Sequence, residues 1–96
     1  MKKIRWGILS TGKIAGSFTE DIKHVPDAEV VAVGSRNQAT ADAFGNKYNI
    51  SNRHPSYESL ANDSDVDVIY IATPHVFHAE NSILCMNTKK AVLCEK

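Results

Sequence analysis

The chain has 96 residues, and its eleven basic side chains are balanced by eleven acidic ones. This length predicts one domain with one hydrophobic core, and the balanced charge argues against a nucleic-acid partner or a membrane surface. No apolar stretch is long enough to span a bilayer and no signal peptide is recognisable, so we expect a cytoplasmic protein. Cys85 and Cys94 match no zinc or redox spacing and are expected to be buried free thiols.

Strand and helix patterns alternate from the start of the chain. An apolar, β-prone run at residues 4–9 predicts a strand. Apolar side chains at helical spacing then predict a helix that covers the sheet, and these side chains are Ile14, Phe18, Ile22 and Val25. Pro26 and Asp27 are expected to end this helix. A continuous apolar run at residues 30–34 predicts a second strand that is buried on both faces, as in a parallel sheet.

The alternation continues in shorter pieces. Asn37 is expected to cap a second helix, whose inner face is formed by Ala41, Phe44 and Tyr48. The later segments predict a short strand near 53–54, a short helix at 57–60, a strand at 66–72, a helix from about 76 to 86 and a strand at 91–94.

This order of elements predicts an α/β fold: a doubly wound, Rossmann-like parallel sheet of about five strands with right-handed crossovers. Ligands in such sheets bind at the carboxyl ends of the strands, where the strand order reverses. The candidate site therefore lies in the segments that follow the strands, which are residues 10–13, 35–36, 73–78 and 95–96.

The turn after the first strand predicts a diphosphate site. In the fingerprint G-x-G-x-x-G, the three glycine positions are Ser10, Gly12 and Ala15. Gly12 lets the backbone approach the pyrophosphate, and Ser10 is expected to avoid a strongly positive φ. Thr11, Lys13 and Ile14 complete the candidate cofactor contacts, and the alternative is a turn whose small residues serve packing alone.

The residues after the second strand predict the choice of cofactor. An NAD site usually carries Asp or Glu there for the ribose hydroxyls, whereas this chain has Ser35 and Arg36, and Glu29 lies at the wrong end of the strand. A hydroxyl beside a planar cation suits a 2′-phosphate. We therefore predict NADP, with NAD also possible. The alternative for Arg36 is an ordinary solvated loop arginine.

Thr73, Pro74, His75 and His78 follow the fourth predicted strand. We expect them to line the crevice near the nicotinamide. The alternatives for the two histidines are a capping or packing role and a shared metal. The sequence offers no companion ligand at a convincing spacing, so no metal site is predicted.

Glu95 and Lys96 follow the fifth predicted strand. A lysine at this edge can help a substrate hydroxyl lose its proton as hydride departs. The alternative is an ordinary charged strand terminus, and position alone does not decide between the two.

Three ordered motifs, in residues 7–15, 67–80 and 92–96, resemble the N-terminal half of the Gfo/Idh/MocA oxidoreductases. The ending Leu93-Cys94-Glu95-Lys96 most resembles the dihydrodiol and sugar dehydrogenase branch. The resemblance implies NAD(P)-dependent oxidation of a sugar, cyclitol or trans-dihydrodiol hydroxyl, or the reverse reduction. It also implies that Glu95 lies beside the nicotinamide and that Lys96 is the catalytic residue that contacts the small-molecule substrate.

The chain departs from the family pattern in three places. Ser10 replaces the usual first glycine, and residues 87–89 lack the glycine expected at a helix end. The family's second domain, with its substrate pocket and oligomer contact, is absent, so we interpret residues 1–96 as an incomplete cofactor domain of a homo-oligomeric enzyme. The alternatives are a non-enzymatic dinucleotide-binding module or sensor, and a domain that has lost its ligand.

Overall fold

The computed structural model describes residues 4–72 and 91–94. Strands and helices alternate through the first of these ranges, and a further strand forms the second. The elements in chain order are β1 (Ile4–Leu9), α1 (Lys13–Ile22), β2 (Ala28–Gly34), α2 (Gln38–Tyr48), β3 (Asn52–His54), α3 (Tyr57–Ala61), β4 (Val68–Ile71) and β5 (Ala91–Cys94).

The five strands form one parallel sheet in the order β3-β2-β1-β4-β5. The chain moves outward from β1 to β2 and β3, then crosses back to place β4 and β5 on the other side of β1. The strand order therefore reverses between β1 and β4, which is where such sheets bind ligands. The predicted doubly wound, Rossmann-like sheet is confirmed.

Each face of the sheet has its own core. On one face, Ile8, Val33 and Tyr70 pack with Ala15 of α1 and Phe44 of α2. The opposite core is formed by Leu9, Ala32, Leu60, Ala61, Val66, Ile69 and Ile71. Successive residues of a strand point to opposite faces, so continuous apolar runs are what a sheet covered on both sides requires.

Two glycines let α3 approach the sheet closely. A Cβ on Gly34 would lie 2.8 Å from the Leu60 Cβ, and a Cβ on Gly7 would lie 3.1 Å from the Leu60 Cδ1. Neither distance allows a side chain without movement of a neighbour. The two glycines therefore create the space in which Leu60 is completely buried.

Several predicted boundaries and caps are confirmed. The first, third and fifth strands and the short helix α3 lie where the sequence places them. Asn37 caps α2, because its side chain accepts a hydrogen bond from the Thr40 N–H at 2.9 Å. The predicted helix at 76–86, the turn at 87–89 and the thiols of Cys85 and Cys94 lie outside the residues and side chains that the structure describes.

The predicted inner face of α1 is partly wrong. Ile14 is 49% exposed and Val25 is 46% exposed, whereas the buried residues of the helix are Ala15, Gly16, Thr19 and Ile22. The helix also ends at Ile22, before Pro26, because the next amides bond three residues back: His24 N–H to Asp21 O at 3.1 Å and Val25 N–H to Ile22 O at 3.0 Å. Val25 therefore lies beyond the helical stripe.

The fourth strand is shorter than predicted. Val66 precedes β4, and its N–H closes a turn with the Asp63 carbonyl at 3.2 Å. At the other end, the Ala72 N–H still bonds to the Leu9 carbonyl at 3.1 Å, although β4 ends at Ile71.

Candidate functional site

The carboxyl ends of four neighbouring strands are joined by backbone hydrogen bonds. Leu9 is aligned with Gly34 of β2 and with Ile71 of β4. Just beyond the strands, the Ser10 N–H donates to the Gly34 carbonyl at 2.9 Å and the Ser35 N–H donates to the His54 carbonyl at 3.1 Å. The sheet therefore places the predicted turn after β1 next to the predicted cofactor-selecting loop after β2.

Ser10 has a φ of 108°, so the expectation that it avoids a strongly positive φ is wrong. The physical reason is the short path between β1 and α1. Ser10 still makes a strand-like bond to Gly34, yet the helix begins at Lys13, and the chain has to reverse its direction in between. This is the region of φ that glycine tolerates and other residues rarely adopt, at a cost of about 1–3 kcal/mol.

Gly12 stands at the N-cap of α1, with φ −76° and ψ −174°, a conformation open to any residue. A Cβ on Gly12 would find no described atom closer than the Ser10 Oγ, at 4.0 Å. Neither backbone conformation nor packing among the described residues therefore explains why this position is a glycine. A ligand that approaches the backbone at the positive end of α1 does explain it.

A groove of about 590 Å³ begins at this turn and runs between α1 and α2. Thr11, Gly12 and Thr40 form its upper end, and Phe44 and Tyr48 line it further down. Gly16 makes room for the Tyr48 hydroxyl, which would lie 2.6 Å from a Cβ at that position. The groove lies in the size range of small-molecule sites.

Lys13 stands between this groove and a second hollow on the other side of α1. The second hollow, of about 450 Å³, is also lined by Ile14, Phe18 and Tyr70. The Phe18 and Tyr70 rings stack with centroids 3.8 Å apart. Lys13 and Ile14 therefore both line this second hollow, and Ile14 is exposed instead of packed on the sheet.

The loop between β2 and α2 places Ser35 and Arg36 in different environments. Ser35 is 6% exposed, and its Oγ is hydrogen-bonded to the Thr40 Oγ1. The Thr40 hydroxyl also lies 3.2 Å from the Asn37 carbonyl oxygen. Arg36 is exposed. The predicted pair is thus present at the sheet edge, but only Arg36 faces outward, and the sequence did not single out Thr40.

Glu29 is the nearest acidic residue on β2, and it lies far from this edge. It is aligned with Arg5, near the amino end of β1, whereas the loop follows Gly34 at the carboxyl end. The other predicted site residues lie outside the described part of the chain: Thr73, Pro74, His75, His78, Glu95 and Lys96. Within residues 4–72 and 91–94, no three His, Cys, Asp or Glu side chains form a group that could hold a metal.

A partly buried polar network connects edge strand β3 to the segment before β4. His54 Nδ1 lies 2.7 Å from the Ser59 Oγ, and His54 Nε2 lies 2.7 Å from an Asp63 carboxylate oxygen. Burial by itself raises the pKa of Asp63, but hydrogen bonds from His54, the Asp65 N–H and Asn52 together hold that pKa below its ordinary value. These hydrogen bonds tie edge strand β3 to α3 and to the segment before β4.

Comparison with known proteins identifies the family. The model of the Gfo/Idh/MocA group, described as an oxidoreductase family with an NAD-binding Rossmann fold, matches residues 4–96. The chain belongs to the Gfo/Idh/MocA oxidoreductase family. The resemblance carried by the three sequence motifs is therefore confirmed, and the turn at Gly12 belongs to a nicotinamide dinucleotide-binding domain of this family.

Curated relatives of this Gfo/Idh/MocA chain include trans-1,2-dihydrobenzene-1,2-diol dehydrogenases. The mouse enzyme (Mus musculus) is 47% identical over 95 residues, which are 97% of this chain and 28% of the relative. The human enzyme (Homo sapiens) is 44% identical over the same length and the same shares. The chain thus spans little more than a quarter of the length of these relatives.

Solved structures agree on the fold of the Gfo/Idh/MocA domain. KijD10, a 3-ketoreductase from Actinomadura kijaniata in complex with TDP-benzene and NADP, superposes with a TM-score of 0.92 at 30% identity, covering 99% of this chain and 30% of that one. A myo-inositol dehydrogenase from Lactobacillus casei, in complex with NAD(H) and myo-inositol, gives 0.88 at 24% identity, covering 98% and 28%. The two neighbours carry different cofactors, so a nicotinamide cofactor is supported without a choice between NADP and NAD. None of the helices in the described part of the chain is long and apolar enough to cross a membrane.

Proposed function

We propose that this chain binds NADP, with NAD also possible, as the cofactor-binding part of an oxidoreductase that acts on CH–OH groups. The single observation that carries the proposal is Gly12. Its missing side chain serves no packing among the described residues, and it stands at the uncapped positive end of α1 between Ser10 and the groove. A diphosphate seated on the first-turn N–H groups fits this geometry without a basic side chain.

The preference for NADP rests on Arg36. It is exposed in the loop between β2 and α2, and that loop has no acidic side chain to bind the ribose hydroxyls. A guanidinium group is a strong partner for a phosphate because it offers charged, paired donors. The NADP that accompanies KijD10 in its crystal structure supports the same choice.

The substrate class is proposed from the relatives. The names of the curated relatives point to a trans-dihydrodiol hydroxyl, and one solved neighbour is named a 3-ketoreductase. When bound, the nicotinamide exchanges a hydride with such a carbon. Lys96 is proposed to hold or move the proton on the substrate oxygen, with Glu95 beside the nicotinamide. The protein is further proposed to be a cytoplasmic homo-oligomer, with substrate contacts supplied by a second domain.

Titration calorimetry on Gly12 variants tests the proposal. We expect Gly12→Ala to weaken the binding of NADP and NAD, and Gly12→Val to abolish it, because the added carbons fill the space where a diphosphate meets the backbone. Both variants should stay folded with only a small loss in melting temperature, since a Cβ here meets no described atom closer than 4.0 Å.

Asn46→Val is the control, because it places a valine on the exposed side of α2 away from the turn. This control should bind both cofactors as the wild type does. A Gly12→Val variant with unchanged affinity would show that the turn is only structural and would refute the proposed function.

A further inference from the structure

His54, on edge strand β3, is hydrogen-bonded at both of its ring nitrogens. Its Nε2 lies 2.7 Å from an Asp63 carboxylate oxygen, and its Nδ1 lies 2.7 Å from the Ser59 Oγ. The His54 side chain is 19% exposed and the Asp63 side chain is 8% exposed, so the acid lies deeper than the ring. These two short contacts hold the imidazole in one orientation between a carboxylate and a hydroxyl.

The Asp63 carboxylate determines which ring nitrogen of His54 carries the hydrogen. It also accepts hydrogen bonds from the Asn52 Nδ2 at 2.9 Å and from the Asp65 N–H at 2.8 Å. Burial alone would raise the pKa of Asp63, but its hydrogen bonds hold that pKa below its ordinary value, so the group is ionised near neutral pH. An ionised carboxylate has no hydrogen to donate. The hydrogen therefore lies on the His54 Nε2 and points to Asp63.

This leaves the other ring nitrogen of His54 as a base that faces a hydroxyl. In the neutral ring, a hydrogen on Nε2 leaves a lone pair on Nδ1. The hydrogen between Nδ1 and the Ser59 Oγ is then that of the hydroxyl, so Ser59 donates to His54. Their separation of 2.7 Å lies in the range over which a positioned base removes a proton.

A carboxylate, an imidazole and a serine hydroxyl in this order activate the serine as a nucleophile. The ring takes the hydroxyl proton, and the carboxylate stabilises the imidazolium that forms. Ser59 faces Nδ1, whereas the serine of a protease triad faces Nε2, but the chemistry needs only a basic nitrogen toward the hydroxyl and an acceptor on the other side. Ser59 and His54 are both partly exposed, so a small electrophile can approach the pair from solvent.

We propose that Ser59 is an acyl-accepting nucleophile that reacts with activated carboxylic esters, with His54 as its base and Asp63 as the residue that positions the ring. The Ser59 Oγ forms a bond to the acyl carbon while its proton moves to the His54 Nδ1. The bond between that carbon and the leaving oxygen breaks, and the leaving group takes the proton from Nδ1. The products are an ester on Ser59 and a free alcohol, with no change of oxidation state. The step uses no residue of the Gly12 turn, so it is independent of the proposed function.

Acetylation of the protein by p-nitrophenyl acetate, without cofactor, tests the inference. We expect peptide mass mapping to locate an acetyl group on Ser59, formed about a hundredfold faster than on Ser17, an exposed serine of α1. His54→Gln removes the base, and Asp63→Asn removes the charge that stabilises the imidazolium. Each should slow the acetylation of Ser59 by about tenfold or more.

Ser51→Ala is the matched control, because it removes a nearby hydroxyl that contacts the Asn52 side chain and should leave the rate at Ser59 unchanged. Melting curves show which variants fold, and mapping on the wild type needs no variant. A wild type whose Ser59 is acetylated no faster than Ser17 overturns the inference. An unchanged rate at Ser59 in His54→Gln, or in Asp63→Asn if the His54 variant does not fold, shows that the network is structural only and overturns it as well. If Ser59→Ala releases nitrophenolate as fast as the wild type does and the acetyl group lies on His54, the ring is the nucleophile and the role of Ser59 is wrong.

Discussion

Ser10 offers the sharpest test of the turn geometry, because its φ of 108° lies where a side chain is disfavoured. Ser10→Gly should relieve strain of about 1–3 kcal/mol. Against this, a glycine adds freedom to the unfolded chain at a cost of about 0.4–1 kcal/mol. The expected net effect is a gain of about 1 kcal/mol in the free energy of unfolding, or roughly 4–8 °C in melting temperature for a chain of this size.

Ser17→Gly is the matched control, because it makes the same chemical change at an exposed position inside α1. There the backbone is helical and glycine brings no relief, so the variant should lose about 0.5 kcal/mol. Ser10→Ala adds a second control, since it removes the hydroxyl but keeps the Cβ and therefore the strain. Urea unfolding of the wild type and the three variants at 25 °C measures all of these changes.

The decisive result is the opposite sign of the two glycine substitutions. If Ser10→Gly lowers the free energy of unfolding as Ser17→Gly does, Ser10 is not strained and the positive φ has no energetic consequence. If Ser10→Ala is stabilised as much as Ser10→Gly, the gain comes from loss of the hydroxyl and not from relief of the backbone. Either result would show that the backbone at Ser10 carries no strain.

Three further predictions concern Arg36 in the loop after β2, Asp63 in the partly buried polar network, and Gly34 next to α3. Arg36→Ala should reduce the binding free energy of NADP by about 1.5–3 kcal/mol and barely affect NAD, as calorimetry would show; equal losses for both cofactors would contradict the role of Arg36. The pKa of Asp63 is lower in the folded chain than in the unfolded one, so its stabilising effect is complete above the unfolded pKa of about 3.9 and is lost as pH falls through the folded value. Urea unfolding between pH 7 and pH 2.5 (~1.4 units below that pKa) should therefore show that the free energy of unfolding falls less with acid in Asp63→Asn than in the wild type. An equal fall in both proteins would contradict this. Gly34→Ala should cost about 1–3 kcal/mol of stability because its Cβ would lie 2.8 Å from the Leu60 Cβ, whereas Gly12→Ala should cost much less. Similar melting temperatures for the two variants would contradict the close packing of α3 against the sheet at Gly34.

The arrangement of the strands follows from the sequence because burial on both faces leaves a clear pattern. Ile8 and Leu9 belong to opposite cores, so a run without polar interruption is the expected signature of β1. Right-handed crossovers then leave few ways to order the strands. The face of α1 is harder to predict, since apolar spacing at Ile14 competes with the smaller Ala15, and the helix packs most closely on the sheet through the small residue.

The conformation of Ser10 has no local signal. Serine is not a residue that favours positive φ, and the sequence pattern suggested that it would avoid that region. What imposes the angle is tertiary: the Ser10 N–H remains bonded to Gly34 while α1 begins at Lys13. A contact between residues far apart in the chain therefore decides the backbone at the first fingerprint position, where serine stands in place of glycine.

The contrast between Ser35 and Arg36 follows from the geometry of a strand end. Side chains alternate along an extended chain, so two neighbours just past β2 point in opposite directions, and only Arg36 of the two is exposed. Which one is exposed depends on the first turn of α2. The Asn37 cap brings Thr40 back toward the loop, where its hydroxyl meets that of Ser35. A serine two residues before a capping asparagine, with threonine three residues after that asparagine, is thus a pattern in which the serine turns inward and the intervening residue faces outward.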